Sequence, residues 1–193
     1  MKAVQAVAMV LVMAVTVMGL CSAQGKMTDK PTGFRGDFLW QLGDVEKKVV
    51  DLAEAMPEAK YGWRPEEGVR SVSEVFVHIA GANYLFASFA GVKTPEGIDE
   101  KMEKTITEKA KVIEAVKKSF AFMRDAVMNT TDADLAKPAK MFGMETTVQN
   151  VYFVCANHMH EHLGQSIAYA RMNRVVPPWT AAEMAKQKEQ MQK

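Results

Sequence analysis

The sequence predicts an all-α protein, a four-helix bundle preceded by a secretory leader. Three observations carry this expectation. Apolar residues recur at three- and four-residue spacing in four separate segments, the period of a helix face. No segment alternates with period two over a useful length, so a sheet has little support. Proline or glycine closes most of the periodic segments, and short amphipathic helices punctuated in this way bury their stripes against one another. With 193 residues, 48% of them apolar and 24% charged, the chain is long enough for one domain with a real core and is unlike a disordered chain.

The first 23 residues read as a signal peptide. Lys2 provides the positive start, Ala6 to Leu20 is apolar apart from Thr16, and Cys21-Ser22-Ala23 places small residues before Gln24. An uncleaved anchor is the alternative, because the apolar stretch approaches spanning length. Gly19 and the small residues, standing where a stop-transfer segment would carry basic ones, favour cleavage. Acylation of Cys21 is a further alternative, opposed by the bulk of Leu20. Residues 24–33 form a polar linker, 34–178 the bundle, and 179–193 a polar tail or short helix. The expected location is periplasmic or extracellular. Cys155 is then the only cysteine left, and a lone thiol in an oxidising compartment survives best when buried.

The first stripe runs Phe38, Leu42, Val45, Val49, Leu52, Met56 and is stopped by Pro57. The second opens at Ser71, which with Glu74 forms a capping-box pattern, and continues Val72, Val75, Ile79, Ala82, Phe86, Phe89 to Gly91. The third is Ile106, Ala110, Ile113, Val116, Phe120, Met123, Val127, with a turn after Asn129. The fourth starts near Thr146 or Thr147 and ends about Asn173, ahead of Pro177-Pro178. Glu58–Arg70 and Asn129–Glu145 are long loops. The chain's net charge of +1 falls to zero once Lys2 leaves with the leader, which removes any electrostatic case for nucleic acid. No segment beyond the leader is apolar enough to cross a membrane.

Polar residues interrupt the fourth stripe: Val148, Val151, Cys155, His158, His162, Gln165, Tyr169, Met172. Histidines at i and i+4 lie on one helix face about 6 Å apart, a spacing that suits two imidazoles on one ion. His78 lies at the edge of the second helix's apolar face, among Ala80, Gly81 and Ala82, which leave room around it. Three imidazoles from two facing helices would hold a divalent transition metal such as Zn²⁺ or Ni²⁺ and leave positions open for water or a small-molecule substrate. The alternative for each histidine is a hydrogen-bonded core residue. His160 points away from its neighbours, to the surface or behind the site. Gln165 faces the site, Cys155 is a fourth ligand or a core residue, and Glu161 is solvated or a base. Glu74 and Tyr84 are the remaining candidate bases.

The segments Met56-Pro57-Glu58, Tyr61-Gly62-Trp63-Arg64-Pro65 and Gly68-Val69-Arg70-Ser71-Val72-Ser73-Glu74, leading on to His78, resemble the first half of the DinB-like superfamily. The stretch Asn157-His158-Met159-His160-Glu161-His162-Leu163-Gly164-Gln165, ending at Asn173 to Pro178, resembles its last helix. The resemblance implies a four-helix bundle, often a homodimer, with a divalent metal on His78, His158 and His162, and with Gly164 allowing close helix packing. It also implies an enzyme of the thiol-dependent transferase or isomerase kind, whose members use small thiols such as bacillithiol or mycothiol, or a hydrolase. Two other classes compete. One is a non-catalytic, stress-related metal binder using His158-Met159-His160 and Met141-x-x-Met144 as soft ligands for copper. The other is an interaction domain whose site has become structural.

Overall fold

The computed structural model describes residues 31–99 and 101–192. The expected leader and all but the end of the linker lie outside these residues. Four long helices form the bundle: α1 (Gly33–Ala55), α2 (Val72–Phe89), α4 (Lys109–Asn129) and α6 (Val148–Met172). Short helices α3 (Met102–Thr105) and α5 (Asp132–Leu135) lie in the connections, and α7 (Pro178–Met191) follows the bundle. Helices α1 and α2 each pack on both α4 and α6, so these two consecutive helices occupy opposite corners.

The core is built from the expected stripes. Phe38, Leu42, Val45, Val49 and Leu52 of α1 are buried, and Pro57, which has no amide proton to donate, follows the last turn. They meet Phe76 and Ile79 of α2, Phe120 and Met123 of α4, and Tyr152 and Met159 of α6, all fully buried. Each such side chain contributes about 1.5–3 kcal/mol through the area it removes from water. The third stripe is displaced from its expected line. Val112 is buried while Ala110 is exposed and Ile113 half-buried, and Ile106 is extended backbone after α3.

Caps set the helix starts as the side chains dictate. The Ser71 hydroxyl accepts from the Glu74 amide at 3.3 Å, and the Glu74 carboxylate accepts from the Ser71 amide at 2.7 Å. That carboxylate also takes Lys104 Nζ at 2.7 Å and faces Arg64. Burial alone would raise its pKa; the hydrogen bonds and basic neighbours prevail and hold it at about 2. Thr147 caps α6 by accepting from the Asn150 amide at 3.2 Å. The C-terminal tail is helical and exposed, with Pro178 in its first turn.

A second expectation is also corrected. The Asn129–Glu145 loop contains an antiparallel hairpin, β1 (Pro138–Met141) on β2 (Met144–Thr147), with Met141 paired to Met144. Four-residue strands are too short to show an alternating pattern. The two-residue turn between them has positive φ at both positions, 51° at Phe142 and 83° at Gly143. A left-handed conformation is natural for Gly143 and unusual for an aromatic residue.

Candidate metal centre

Helix α2 presents His78, and α6 presents His158 and His162 one turn apart. Among the described residues these form a group whose ligand nitrogens lie within 4.8 Å of one another. The ring centroids are 4.9 Å apart for His78 and His158, 4.5 Å for His78 and His162, and 4.4 Å for the α6 pair. His78 Nε2 and His158 Nε2 are 3.0 Å apart. Two nitrogens sharing one ion at about 2.0–2.1 Å would stand about 2.9–3.4 Å apart, so this pair already has coordination spacing.

The groups behind the rings fix their tautomers. Glu103 of α3 lies 2.5 Å from His78 Nδ1, and a carboxylate there can only accept. His78 therefore carries its proton on Nδ1 and turns a bare Nε2 inward. Burial would raise the Glu103 pKa, but the Arg70 and His78 hydrogen bonds win and hold it ionised. Arg70 Nε donates to Glu103 Oε2 at 2.7 Å.

On the other side, Tyr169 donates to the Arg70 carbonyl at 3.2 Å, and Gln165 Nε2 donates to the Tyr169 hydroxyl at 3.0 Å. This leaves Gln165 Oε1 to accept from His162 Nδ1 at 2.8 Å, so His162 also turns a bare Nε2 inward. Both chains end on Arg70, one at its guanidinium and the other at its carbonyl. Such partners behind histidine ligands orient the ring and raise its basicity. Trp63 packs edge-on against Tyr169, centroids 5.4 Å apart.

His158 is held differently. Phe86 lies edge-on to its ring at 5.4 Å, and its Nδ1 is buried without a hydrogen-bond partner among the described residues. Burial lowers the pKa of both His78 and His158, the latter to about 3, helped by the neighbouring imidazoles. Both rings are therefore neutral at neutral pH, the form that ligates a metal. The donor set, its spacing and the inward lone pairs fit a divalent transition ion.

The structure brings together the three predicted histidines and Gln165, and adds Glu103 and Arg70, which sequence reasoning did not single out for the site. It separates the other candidates. Cys155 is a fully buried core residue whose thiol burial pushes up in pKa. His160 is exposed and donates from Nδ1 to the Ala156 carbonyl at 2.8 Å. Glu161 is exposed, and Glu74 is committed to the start of α2. Gly164 is a correction: it is exposed, and a Cβ there would meet nothing within 4 Å, so no close helix packing depends on it. Nor are the soft ligands assembled, since Met159 is buried in the core, His160 faces solvent, Met141 is buried and Met144 is 63% exposed.

Beside the histidines a cleft of about 520 Å³ runs along α2 from His78 and His158 towards Ser88, and Tyr84 contributes to its wall. Residues 41–166 match the family model of the DinB superfamily. Among solved structures, a DinB-like protein from Bacillus cereus superposes with a TM-score of 0.66 at 18% identity, covering 73% of this chain and 93% of that one. A DinB-like protein from Bacillus subtilis gives 0.57 at 19% identity, covering 70% and 90%. No curated protein matches the sequence.

Proposed function

The chain belongs to the DinB superfamily, and on that premise we propose that it is an exported metal-dependent enzyme, a hydrolase or thiol S-transferase, with its ion on His78, His158 and His162. The observation that carries this reading is the direction of the two hydrogen-bond chains. Glu103 and Gln165 each accept an Nδ1 proton, which leaves Nε2 of His78 and of His162 unprotonated, the former 3.0 Å from His158 Nε2.

A bound divalent ion would supply Lewis acidity and make a water or thiol nucleophilic near neutral pH. The chain's own residues do the rest. Glu103 holds the proton on His78 Nδ1 and spreads negative charge into that ring, while Arg70 keeps the carboxylate ionised and aligned. The relay through Gln165 and Tyr169 prevents the His162 ring from flipping. Phe86 shields His158 from water, and the adjoining cleft gives a substrate access to the His78 and His158 edge of the triad. In this reading residues 1–23 direct export and are removed.

The test is elemental analysis of the purified protein beside His158→Ala and His162→Ala, followed by a screen of ester and thiol-transfer substrates. About one divalent ion per chain, absent from both variants, with turnover that disappears alongside it, supports the proposal. A wild type that neither carries nor takes up Zn²⁺, Ni²⁺ or Cu²⁺ would overturn it. Sequencing the N-terminus of protein recovered outside the cytoplasm tests the leader, with Gln24 the expected first residue.

A further inference from the structure

The cleft beside the triad has a composition that restricts its occupant. It begins at His78 and His158 and continues past Gly81, Phe86, Ile98 and Met102 to a mouth flanked by Leu85 and Phe142. Leu85 is 44% exposed and Phe142 62% exposed, so the rim of the cleft is apolar. Among the described residues no lysine or arginine lines the cleft; its charged groups are Asp99 and Glu103, and Glu103 is engaged by Arg70 and His78. An anion would enter past the Asp99 carboxylate with no basic residue in the lining to meet it. A volume near 520 Å³ falls in the range of small-molecule sites, and a concave wall ending at polar groups suits a ligand better than a flat protein surface.

Two residues shape this space against the local preferences of the backbone. Gly81 lies in the middle of α2, one turn after His78, where glycine weakens a helix; a Cβ there would meet nothing within 4 Å and would project beside the cleft. Phe142 holds a positive φ that Asn or Gly would adopt more readily, and in that conformation its ring packs edge-on against Phe89 and Phe86 at 5.0 and 6.2 Å, forming a wall of the cleft. Backbone outliers such as Phe142 cluster at functional sites.

From these features we infer that the cleft seats the uncharged, predominantly apolar body of the substrate, with its reacting end at His78 and His158, and that Gly81 and Phe142 determine what fits. This rests on the metal-enzyme reading for its reacting end, while the cleft itself can be tested separately. The probe is N-phenyl-1-naphthylamine, a neutral apolar fluorophore, titrated into the full chain and displaced with 1-heptanol or heptanoate. The same titrations are run in His162→Ala, which removes a ligand that does not itself line the cleft, so that heptanoate cannot score by binding an ion.

Saturable fluorescence enhancement is expected in both proteins, displaced by 1-heptanol at concentrations at least tenfold below those needed for heptanoate. Gly81→Leu is expected to weaken probe binding more than tenfold with its Tm unchanged or raised, because leucine favours the helix and fills empty space. Phe142→Asn is expected to weaken it severalfold, again without loss of Tm, because Asn-Gly suits this turn. Equal displacement by heptanoate in His162→Ala, or full probe binding in Gly81→Leu, would overturn the inference. So would a chain that binds no probe and dimerises in sedimentation through a contact that Phe142→Asn abolishes, since the face would then belong to a second copy. Loss of metal in His162→Ala with probe binding intact separates the failure of one reading from the failure of the other.

Discussion

Replacing Glu103 with alanine should weaken metal binding without removing any ligand. The carboxylate is the acceptor for His78 Nδ1, at 2.5 Å, and among the described residues nothing else is paired with that nitrogen. Losing a partner of this kind costs about 10–100-fold in metal affinity, or about 1.4–2.7 kcal/mol. With free Zn²⁺ at a hundred times the wild-type Kd, occupancy stabilises the wild type by about 2.7 kcal/mol; a thirtyfold weaker site gains only about 0.9 kcal/mol. For a domain of this size the difference amounts to about 4–7 °C in Tm. The assay is a pair of thermal melts per protein, with excess Zn²⁺ and with chelator, and the readout is the increment that Zn²⁺ produces. Glu103 also pairs with Arg70, so the metal-free Tm shifts for reasons unrelated to the site, whereas the increment does not. If Glu103→Ala shows the wild-type increment while His162→Ala shows none, the carboxylate is not supporting a ligand and the tautomer argument fails.

Three further outcomes are expected. The Glu74 pKa of about 2 lies below its unfolded value of 4.5, so the unfolded chain binds the extra proton between those pH values and stability falls as pH drops through them. The full shift would be worth about 3 kcal/mol, reduced to about 2 because Lys104 is mostly exposed; urea midpoints at pH 7 and pH 3 should therefore converge in Glu74→Gln more than in the wild type. Cys155 should resist a thiol-reactive disulfide reagent in the native protein and react fully in denaturant, since its side chain is inaccessible; rapid native labelling would contradict the buried placement. Tyr152→Phe should cost about 1 kcal/mol in chemical denaturation, because the Tyr152 hydroxyl meets Thr130 Oγ1 at 2.9 Å while that hydroxyl keeps its bond to the Ala126 carbonyl.

The histidines could be read from the sequence because a helix is rigid: i and i+4 on α6 share a face whatever the rest of the chain does. His78 could be placed because the apolar stripe of α2 fixes which side faces the core. Gln165 followed from the same periodicity. Glu103 could not, since it lies 25 residues from His78, on a four-residue helix within a connection whose fold depends on tertiary contacts. Arg70 was visible only as part of a motif, and its two roles use different atoms, one of them backbone. The hairpin escaped notice because four residues show no usable alternation, and α4 was misaligned because Ala110 and Ile113 fit a 3.6-residue period nearly as well as Val112 does.

The edge-on stacking of Trp63 on Tyr169 has an optical consequence. The phenol belongs to the relay that terminates at His162, so a change in that imidazole's hydrogen bonding alters the electric field at the indole three contacts away. Indole emission responds to such fields. The other two tryptophans, Trp40, 69% exposed, and Trp179, packed on the edge of the core, supply a background that Trp63→Phe retains. The connection before α2 thus carries an intrinsic gauge of the centre, which can be read in the unlabelled protein by comparing emission with that of Trp63→Phe.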